Sequence, residues 1–287
     1  MTEAVLCAAC GTIMRMKKPW LYRCAACGFL ASTLRPGEGT GIAGLEDLRR
    51  GNFEIMLDRL EEMQPLAGTR ILEVGSAWGW FLEAAQRRGA RICGIEPEEA
   101  NAELARRKGL AVETGFFPED LRDRGPYDVI VFNDVFEHLH DPSAIARETA
   151  GLLNPSGMVV LNLPSSGGIL FKLATLLDAF GASSWLERLW QKGFPSPHVS
   201  YFNPRNLGLL VEKHTDMTCA RTFSLESVSR DGLAARISSS HRPVARAIAF
   251  AGVWVLSFAL PVLPSDIHVS VFRKPDRLSS PRANYGA

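Results

Sequence analysis

Three observations predict an α/β fold built on a mostly parallel, doubly wound sheet. Strand-like apolar runs alternate with helix-period segments between residues 70 and 163. The first run passes into its helix through a glycine-bearing loop. Hydrophobic residues make up 46% of the 287-residue chain, which is enough apolar surface for a buried core. The spacing predicts strands over 70–74, 91–95, 111–114, 127–132 and 158–163, with helices over 78–88, 98–108 and 143–153. Ahead of them, Leu48, Phe53, Met56, Leu57 and Leu60 share one helical face within 45–63, and Pro65 ends that helix. After residue 165 the alternation is interrupted by apolar helical segments at 169–180 and 185–190. It resumes with a helix near 204–214, a strand near 217–223, a helix between Pro243 and Pro261, and a final strand over 267–272. Residues 276–287 read as a flexible tail.

The length allows one enzyme-sized domain plus a small appendage. With 32 Lys plus Arg against 31 Asp plus Glu, bulk charge gives no support for a nucleic-acid binder. Residues 1–10 have neither a basic start nor an apolar stretch of signal length, so a cytoplasmic protein with reduced thiols is expected.

Four of the six cysteines lie within the first 27 residues. Cys7-x-x-Cys10 and Cys24-x-x-Cys27 are each followed by a glycine, Gly11 and Gly28, suited to a turn with positive φ. Two such turns present four soft thiolates to a tetrahedral ion, and residues 14–22 supply a hairpin between them. The pattern resembles a zinc ribbon over 1–35, with Cys7, Cys10, Cys24 and Cys27 as Zn2+ ligands. Two separate redox motifs are the alternative, but neither pair lies beside a βαβ pattern. Cys93 and Cys219 fall in apolar runs and read as core thiols. The glycine-rich stretch 35–44 reads as a linker to a second domain over 36–275.

The loop Glu73-Val-Gly75-Ser-Ala77-Trp-Gly79 lies where the first strand turns into its helix. A nicotinamide fingerprint needs G-x-G-x-x-G, and Ala77 and Trp80 occupy its second and third glycine positions. The loop instead resembles the E/D-x-G-x-G-x-G element of class I S-adenosylmethionine-dependent methyltransferases, with Ala77 at the middle glycine. The likeness continues through Gly94-Ile95-Glu96-Pro97, Phe132-Asn133-Asp134-Val135-Phe136-Glu137-His138-Leu139-His140-Asp141-Pro142, Leu153-Asn-Pro-Ser-Gly157 and Pro197-His198-Val-Ser-Tyr201-Phe202. It implies a Rossmann-like sheet of about seven strands whose last hairpin strand is antiparallel. It also implies S-adenosylmethionine as cofactor, with Glu73, Gly75, Ala77, Gly79, Glu96, Phe116 and Asn133 as binding residues. Glu96 would accept hydrogen bonds from both ribose hydroxyls, and Phe116 would stack on the adenine, whose amine could reach backbone or Glu119.

Methyl transfer to a hydroxyl requires alignment, exclusion of water and removal of a proton. His138 and His198 fall on ligand-side loops and are the candidate bases. Asp134-x-x-Glu137-His138 also resembles the E-x-x-E-H metal-binding arrangement of ubiquinone-biosynthesis O-methyltransferases, which implies a possible divalent ion. The insertion at 165–197 reads as a helical cap over the site, and it carries Lys172, Arg188 and Lys192 beside its tryptophans. No charged residue occurs in 247–265, and nine Lys or Arg accompany four Asp or Glu from Arg221 onward. Peripheral membrane contact through 165–197 or 243–263 is therefore expected rather than a crossing. The expected reaction is methylation of a small-molecule or lipid-linked acceptor, a sugar hydroxyl first and a phenol second. A protein or nucleic-acid methyltransferase that uses the ribbon to grip its partner is a competing reading, as is a non-catalytic scaffold. Oligomeric state is open.

Overall fold

The N-terminal cysteine pairs close two knuckles from which a small antiparallel sheet grows. The computed structural model describes residues 4–38, 46–122, 125–227 and 262–276. Gly11 N–H donates to Cys7 O (2.8 Å) and Gly28 N–H to Cys24 O (3.1 Å), each closing a knuckle. Strands β1 (Arg15–Lys18), β2 (Leu21–Arg23) and β3 (Leu30–Ser32) pair in sequence order. The fourth strand of that sheet, β9 (Ser200–Tyr201), comes from much later in the chain, pairing Leu30 with Tyr201 and Ala31 with Ser200. The N-terminal module therefore shares its sheet with the rest of the protein.

Helix α1 (Glu46–Glu61) leads into the central α/β layers: β4 (Arg70–Val74), α2 (Trp80–Arg87), β5 (Arg91–Glu96), α3 (Glu99–Arg107), β6 (Val112–Thr114) and β7 (Tyr127–Asn133). A single 3-10 turn (Phe136–His138) precedes α4 (Pro142–Gly151) and β8 (Leu153–Pro164). The cap follows as α5 (Ile169–Ala179) and α6 (Ser184–Leu189); after β9 come α7 (Pro204–His214), β10 (Thr218–Leu225) and β11 (Ile267–Arg273). The main sheet is seven-stranded, ordered β10-β11-β8-β7-β4-β5-β6, and β11 runs antiparallel to both neighbours. The expected sheet and its reversed strand are both present.

Alternate residues along each central strand enter opposite layers, as the two-residue period of a strand requires. Ile71, Val129, Val131 and Val160 pack under Phe53, Met56, Leu57 and Leu60 of α1 and Phe81 of α2. Leu72, Ile130, Phe132 and Leu161 face the other way, against Leu207, Leu210 and Val211 of α7 and the cysteine knuckles. Each fully buried side chain of this size contributes about 1.5–3 kcal/mol. The helix starts are set locally: Asp141 Oδ1 accepts from Ser143 and Ala144 N–H, with Pro142 in the first turn, and Asn203 and Asn206 form a reciprocal capping box.

Several expectations change. The stretch expected to be a linker is docked where it is described: Gly37 N–H donates to Phe194 O (2.8 Å). Cys93 is half-buried and packs against the core, but Cys219 is exposed and is no core thiol, since β10 is an edge strand that leaves one of its faces to solvent. Leu153 already pairs with Tyr127, so β8 begins five residues before the strand expected at 158–163. The helix expected between Pro243 and Pro261, most of the 243–263 membrane candidate, and residues 277–287 lie outside the described residues. Among the described residues, no helix is long and apolar enough to cross a membrane.

His268 on β11 is buried, and burial pushes its ring pKa down to about 4. Between pH 6.5 and 4 the unfolded chain binds a proton there that the folded chain does not, so stability falls as pH falls through that window. Each pH unit of it is worth about 1.4 kcal/mol. Urea unfolding of the wild type should lose about 2 kcal/mol between pH 7 and pH 5 through this residue, and His268→Leu should lose correspondingly less.

Candidate active site

The ends of β4, β5 and β7 open into a cavity of about 610 Å³, at the point where strand order reverses on either side of β4. Gly75 follows β4 at φ 69°, and a Cβ there would meet the side chain of Val135. Gly79 precedes α2 at φ 75°, where an added Cβ would strike Leu110. Ala77 between them takes φ 44°, which costs an L residue about 1–2 kcal/mol. Its N–H donates to Glu96 Oε2 (2.9 Å), and Glu98 N–H donates to Oε1 (3.1 Å). Glu96 is thereby locked at the end of β5 with lone pairs left over, and with Gly75 it lines the cavity.

Glu73 and Asn133 do not line the cavity. Asn133 was expected at the ligand edge, but its Nδ2 donates to Glu73 Oε1 (2.8 Å), and Asn162 Nδ2 donates in turn to Asn133 Oδ1 (3.4 Å). Only Asn162 of this buried chain reaches the cavity wall. Burial pushes the Glu73 carboxyl up to about 8; the Asn133 bond opposes the shift and the charge of Glu96 adds to it. Phe116 is exposed at the cavity rim, and its N–H donates to Asp120 Oδ2 (2.8 Å). The nearby acid is therefore Asp120 rather than Glu119.

The opposite end of the cavity is built by the 3-10 turn and the segment before β9. Val199 N–H donates to Glu137 O (2.9 Å), which brings the two loops together. His138 and His198 meet with ring centroids 4.8 Å apart, and each Nε2 lies 3.9 Å from Glu137 Oε1. His138 Nδ1 donates to Pro197 O (3.0 Å), so its Nε2 carries the lone pair. Burial holds both imidazole pKa values below the usual histidine range, and the neighbouring His138 adds to the effect on His198. Burial, with the Asp134 charge adding, raises the Glu137 carboxyl well above the carboxylate range.

Asp134 does not join this cluster. It takes φ 53° and accepts from Arg49 on α1 (3.2 Å). The acid-acid-histidine set expected from the sequence is thus replaced by Glu137, His138 and His198, whose ligand atoms all lie within 4.8 Å of one another. Sequence reasoning missed Arg49, Gln191 and Asn162, which no local motif marks. Tyr201, within the Pro197–Phe202 motif, also lines the cavity. Leu139, Leu170, Phe171 and Leu189 supply apolar wall, the last three from the cap. The outer side of the cap exposes Leu173, Leu176, Phe180 and Trp185.

Away from the cavity, the sulfurs of Cys7, Cys10, Cys24 and Cys27 also gather within 4.8 Å of one another. The closest approaches are Cys7 to Cys27 at 3.5 Å and Cys10 to Cys24 at 3.4 Å. Tetrahedral Zn–S bonds of about 2.3 Å set sulfurs roughly 3.8 Å apart, so the cluster is close to that geometry.

A glycine-loop cleft at a sheet switch point marks a nucleotide-type ligand site on a Rossmann-like sheet. The model of the methyltransferase-domain family matches residues 48–214, more than half of the chain. The chain belongs to that family, and it is an S-adenosylmethionine-dependent methyltransferase. It is 29% identical to a ubiquinone biosynthesis O-methyltransferase of Marinobacter nauticus over 62% of this chain and 79% of that one. With the enzyme of the same name from Xylella fastidiosa it shares 30% identity over 48% of this chain, spanning only 57% of that relative. The magnesium protoporphyrin IX methyltransferase of Synechocystis shares the fold at 15% identity and a TM-score of 0.51, over 83% of this chain and 90% of that one.

Glu73 gives a test of the buried chain behind the loop. Its folded pKa of about 8 lies above the unfolded value near 4.5, so the folded state holds an extra proton and loses stability as pH rises between them. Glu73→Gln keeps the acceptor for Asn133 without titrating. Its denaturation midpoint should fall less than the wild type's from pH 5 to pH 8.5, a difference of at least about 1 kcal/mol.

Proposed function

We propose that the enzyme transfers the methyl group to a hydroxyl of a small apolar or lipid-linked acceptor, phenol-like in the first instance and a sugar hydroxyl in the second. One observation carries this reading: a single cavity joins the Gly75–Glu96 end to a buried Glu137–His138–His198 cluster with apolar walls. The names of the relatives favour the phenol.

In this reading the free lone pairs of Glu96 accept the ribose hydroxyls. Gly75 lets the backbone approach the methionine end, Ala77 and Gly79 shape the loop, and Phe116 covers the adenine. Glu73 and Asn133 support the loop from behind. The sulfonium supplies both the methyl group and its leaving group. When bound, its methyl would pass to the acceptor oxygen while sulfur kept the bonding electron pair. His138 Nε2 takes the hydroxyl proton, with Pro197 O fixing its tautomer, and His198 and Glu137 hold the ring in place.

A second reading is favoured by Glu137, neither of whose oxygens has a hydrogen-bond partner among the described residues although both are buried. Glu137, His138 and His198 would then hold a divalent ion that polarises the acceptor hydroxyl. Paramagnetic resonance with Mn2+ separates the readings: stoichiometric binding lost in Glu137→Gln favours the ion.

The four cysteines are proposed to hold one structural Zn2+, a closed site that contributes folding energy. The ribbon's basic residues give little support to a nucleic-acid partner, since Lys18 is already paired with Asp178 (2.6 Å). The exposed apolar side of the cap, with Lys172 beside it, supports a peripheral contact at the inner face of a membrane where a lipid-linked acceptor would be met.

Glu96→Ala should weaken S-adenosylmethionine binding by about 10-fold or more in calorimetry, the worth of charge-assisted hydrogen bonds. His138→Ala should leave that affinity within a few-fold and lower transfer of labelled methyl to 3,4-dihydroxybenzoate by about 100-fold or more. Transfer to sugar hydroxyls with none to phenols would overturn the preference for a phenol, and transfer to neither would overturn the acceptor class. Absence of S-adenosylmethionine binding by the wild type would overturn the reading of the site.

A further inference from the structure

The segment carrying His198 is held from two sides. Strand β9 is two residues long, and the main body meets the segment through a bridge between Ser165 and Phe202 and through Ser166 N–H donating to Phe202 O (2.7 Å), Val199 N–H to Glu137 O (2.9 Å) and His198 N–H to Trp190 O (3.1 Å). The N-terminal module supplies the other side. Ser32 N–H donates to Val199 O (2.8 Å), and Ser32 Oγ donates to His198 O (2.7 Å). The next carbonyl back, Pro197 O, is the one that accepts from His138 Nδ1. Ser32 therefore stands one peptide away from the contact that sets the tautomer of His138.

The module also carries the cap. Leu21 and Leu30 share a buried cluster with Phe171, Leu186, Trp190 and Tyr201, and Trp20 packs edge-on against Trp190 at 5.7 Å. The knuckle is directly upstream of this contact. Cys24 N–H donates to Phe29 O (2.9 Å), the residue before β3, and the Phe29 ring lies 5.0 Å from Phe202. Four residues separate Cys27 from Ser32. The glycine loop and Glu96, by contrast, hydrogen-bond only within the main body among the contacts described.

We propose that the N-terminal module is the fixed outer support of the acceptor half of the cavity, with Ser32 as its positioning residue. The state of the four thiols is thereby transmitted to residues 196–202 and to His138, and not to the cofactor half. This rests on the reading that the histidine end receives the acceptor. It gives the module a role in the enzyme: the main body holds the inner side of the segment, and a cross-linked knuckle supplies a rigid neighbour for the outer side of a two-residue strand.

The test is hydrogen–deuterium exchange on the full-length protein, read on peptides spanning 196–202 and 75–96, alongside calorimetry with S-adenosylhomocysteine. Ser32→Ala should raise exchange in 196–202 by about 10-fold or more, the worth of one buried hydrogen bond with its orphaned partner. Peptides from 75–96 and the affinity for S-adenosylhomocysteine should change by less than about twofold, and Ser32→Thr, which keeps the hydroxyl, should restore protection. Stripping metal from the wild type with a mercurial and chelator should produce the same localised pattern. Where 3,4-dihydroxybenzoate is methylated, Ser32→Ala should lower kcat and leave the KM for S-adenosylmethionine unchanged. Unaltered exchange in 196–202 for both Ser32→Ala and the stripped protein would overturn the proposal, as would equal loss of protection in 75–96. Failure of the wild type to bind S-adenosylhomocysteine would instead overturn the reading of the cofactor site, and the exchange pattern would still decide this proposal.

Discussion

The parallel hydrogen-bonded register of β4 with β5 and β7 is the constraint on which the site depends. Val74 pairs with Ile95 on one side and with Phe132 on the other, so three strands end at one level. Whatever follows each strand is delivered to the same edge: Gly75 after β4, Glu96 at the end of β5, Asp134 and Glu137 after β7. Parallel strands leave their carboxyl ends together, and reversal of the winding direction at β4 opens the crevice between them. The Ala77–Glu96 hydrogen bond then ties two of these ends together before any ligand arrives, which removes ordering cost from binding.

The two ends of the cavity are electrostatically different for the same reason of burial. At the end proposed for the cofactor, Glu96 accepts two backbone N–H bonds and keeps lone pairs free. At the other end, Glu137 has no such donors among the described residues, and its carboxyl is pushed toward the neutral form. The two imidazoles beside it are pushed toward neutrality as well, and a neutral imidazole is the form that accepts a proton. Desolvation thus acts at the Glu137–His138–His198 end, where the proposed function needs a group that takes a proton.

Much of the fold was legible because local rules and tertiary packing agree. The buried strand YDVIVF, the Asp141-Pro142 cap and the apolar face of 45–63 each follow a period or capping rule that the structure keeps. Asn133 shows the limit. Strand-end position put it at the ligand edge, but the direction of a side chain depends on what neighbouring strands offer, and Glu73 offered a buried acceptor. The pairing of Asp134 with Arg49 was equally illegible, because it joins residues 85 positions apart through a helix angle that no local pattern encodes.

The sequence by itself determined the element order, the glycine loop, the four-cysteine cluster and the class of chemistry, since each depends on residue types at short fixed spacings. Tertiary structure alone decided which residues meet. It joined His198 to Glu137 and His138, seated the cap on β2 and β3, and supplied the fourth strand of the small sheet from residues 200–201. Strand pairing is set by backbone hydrogen bonds that any residue but proline can make, so a two-residue strand carries almost no sequence signal. That is why the cysteine module reads in one dimension as an appendage and in three as a neighbour of β9 and the cap.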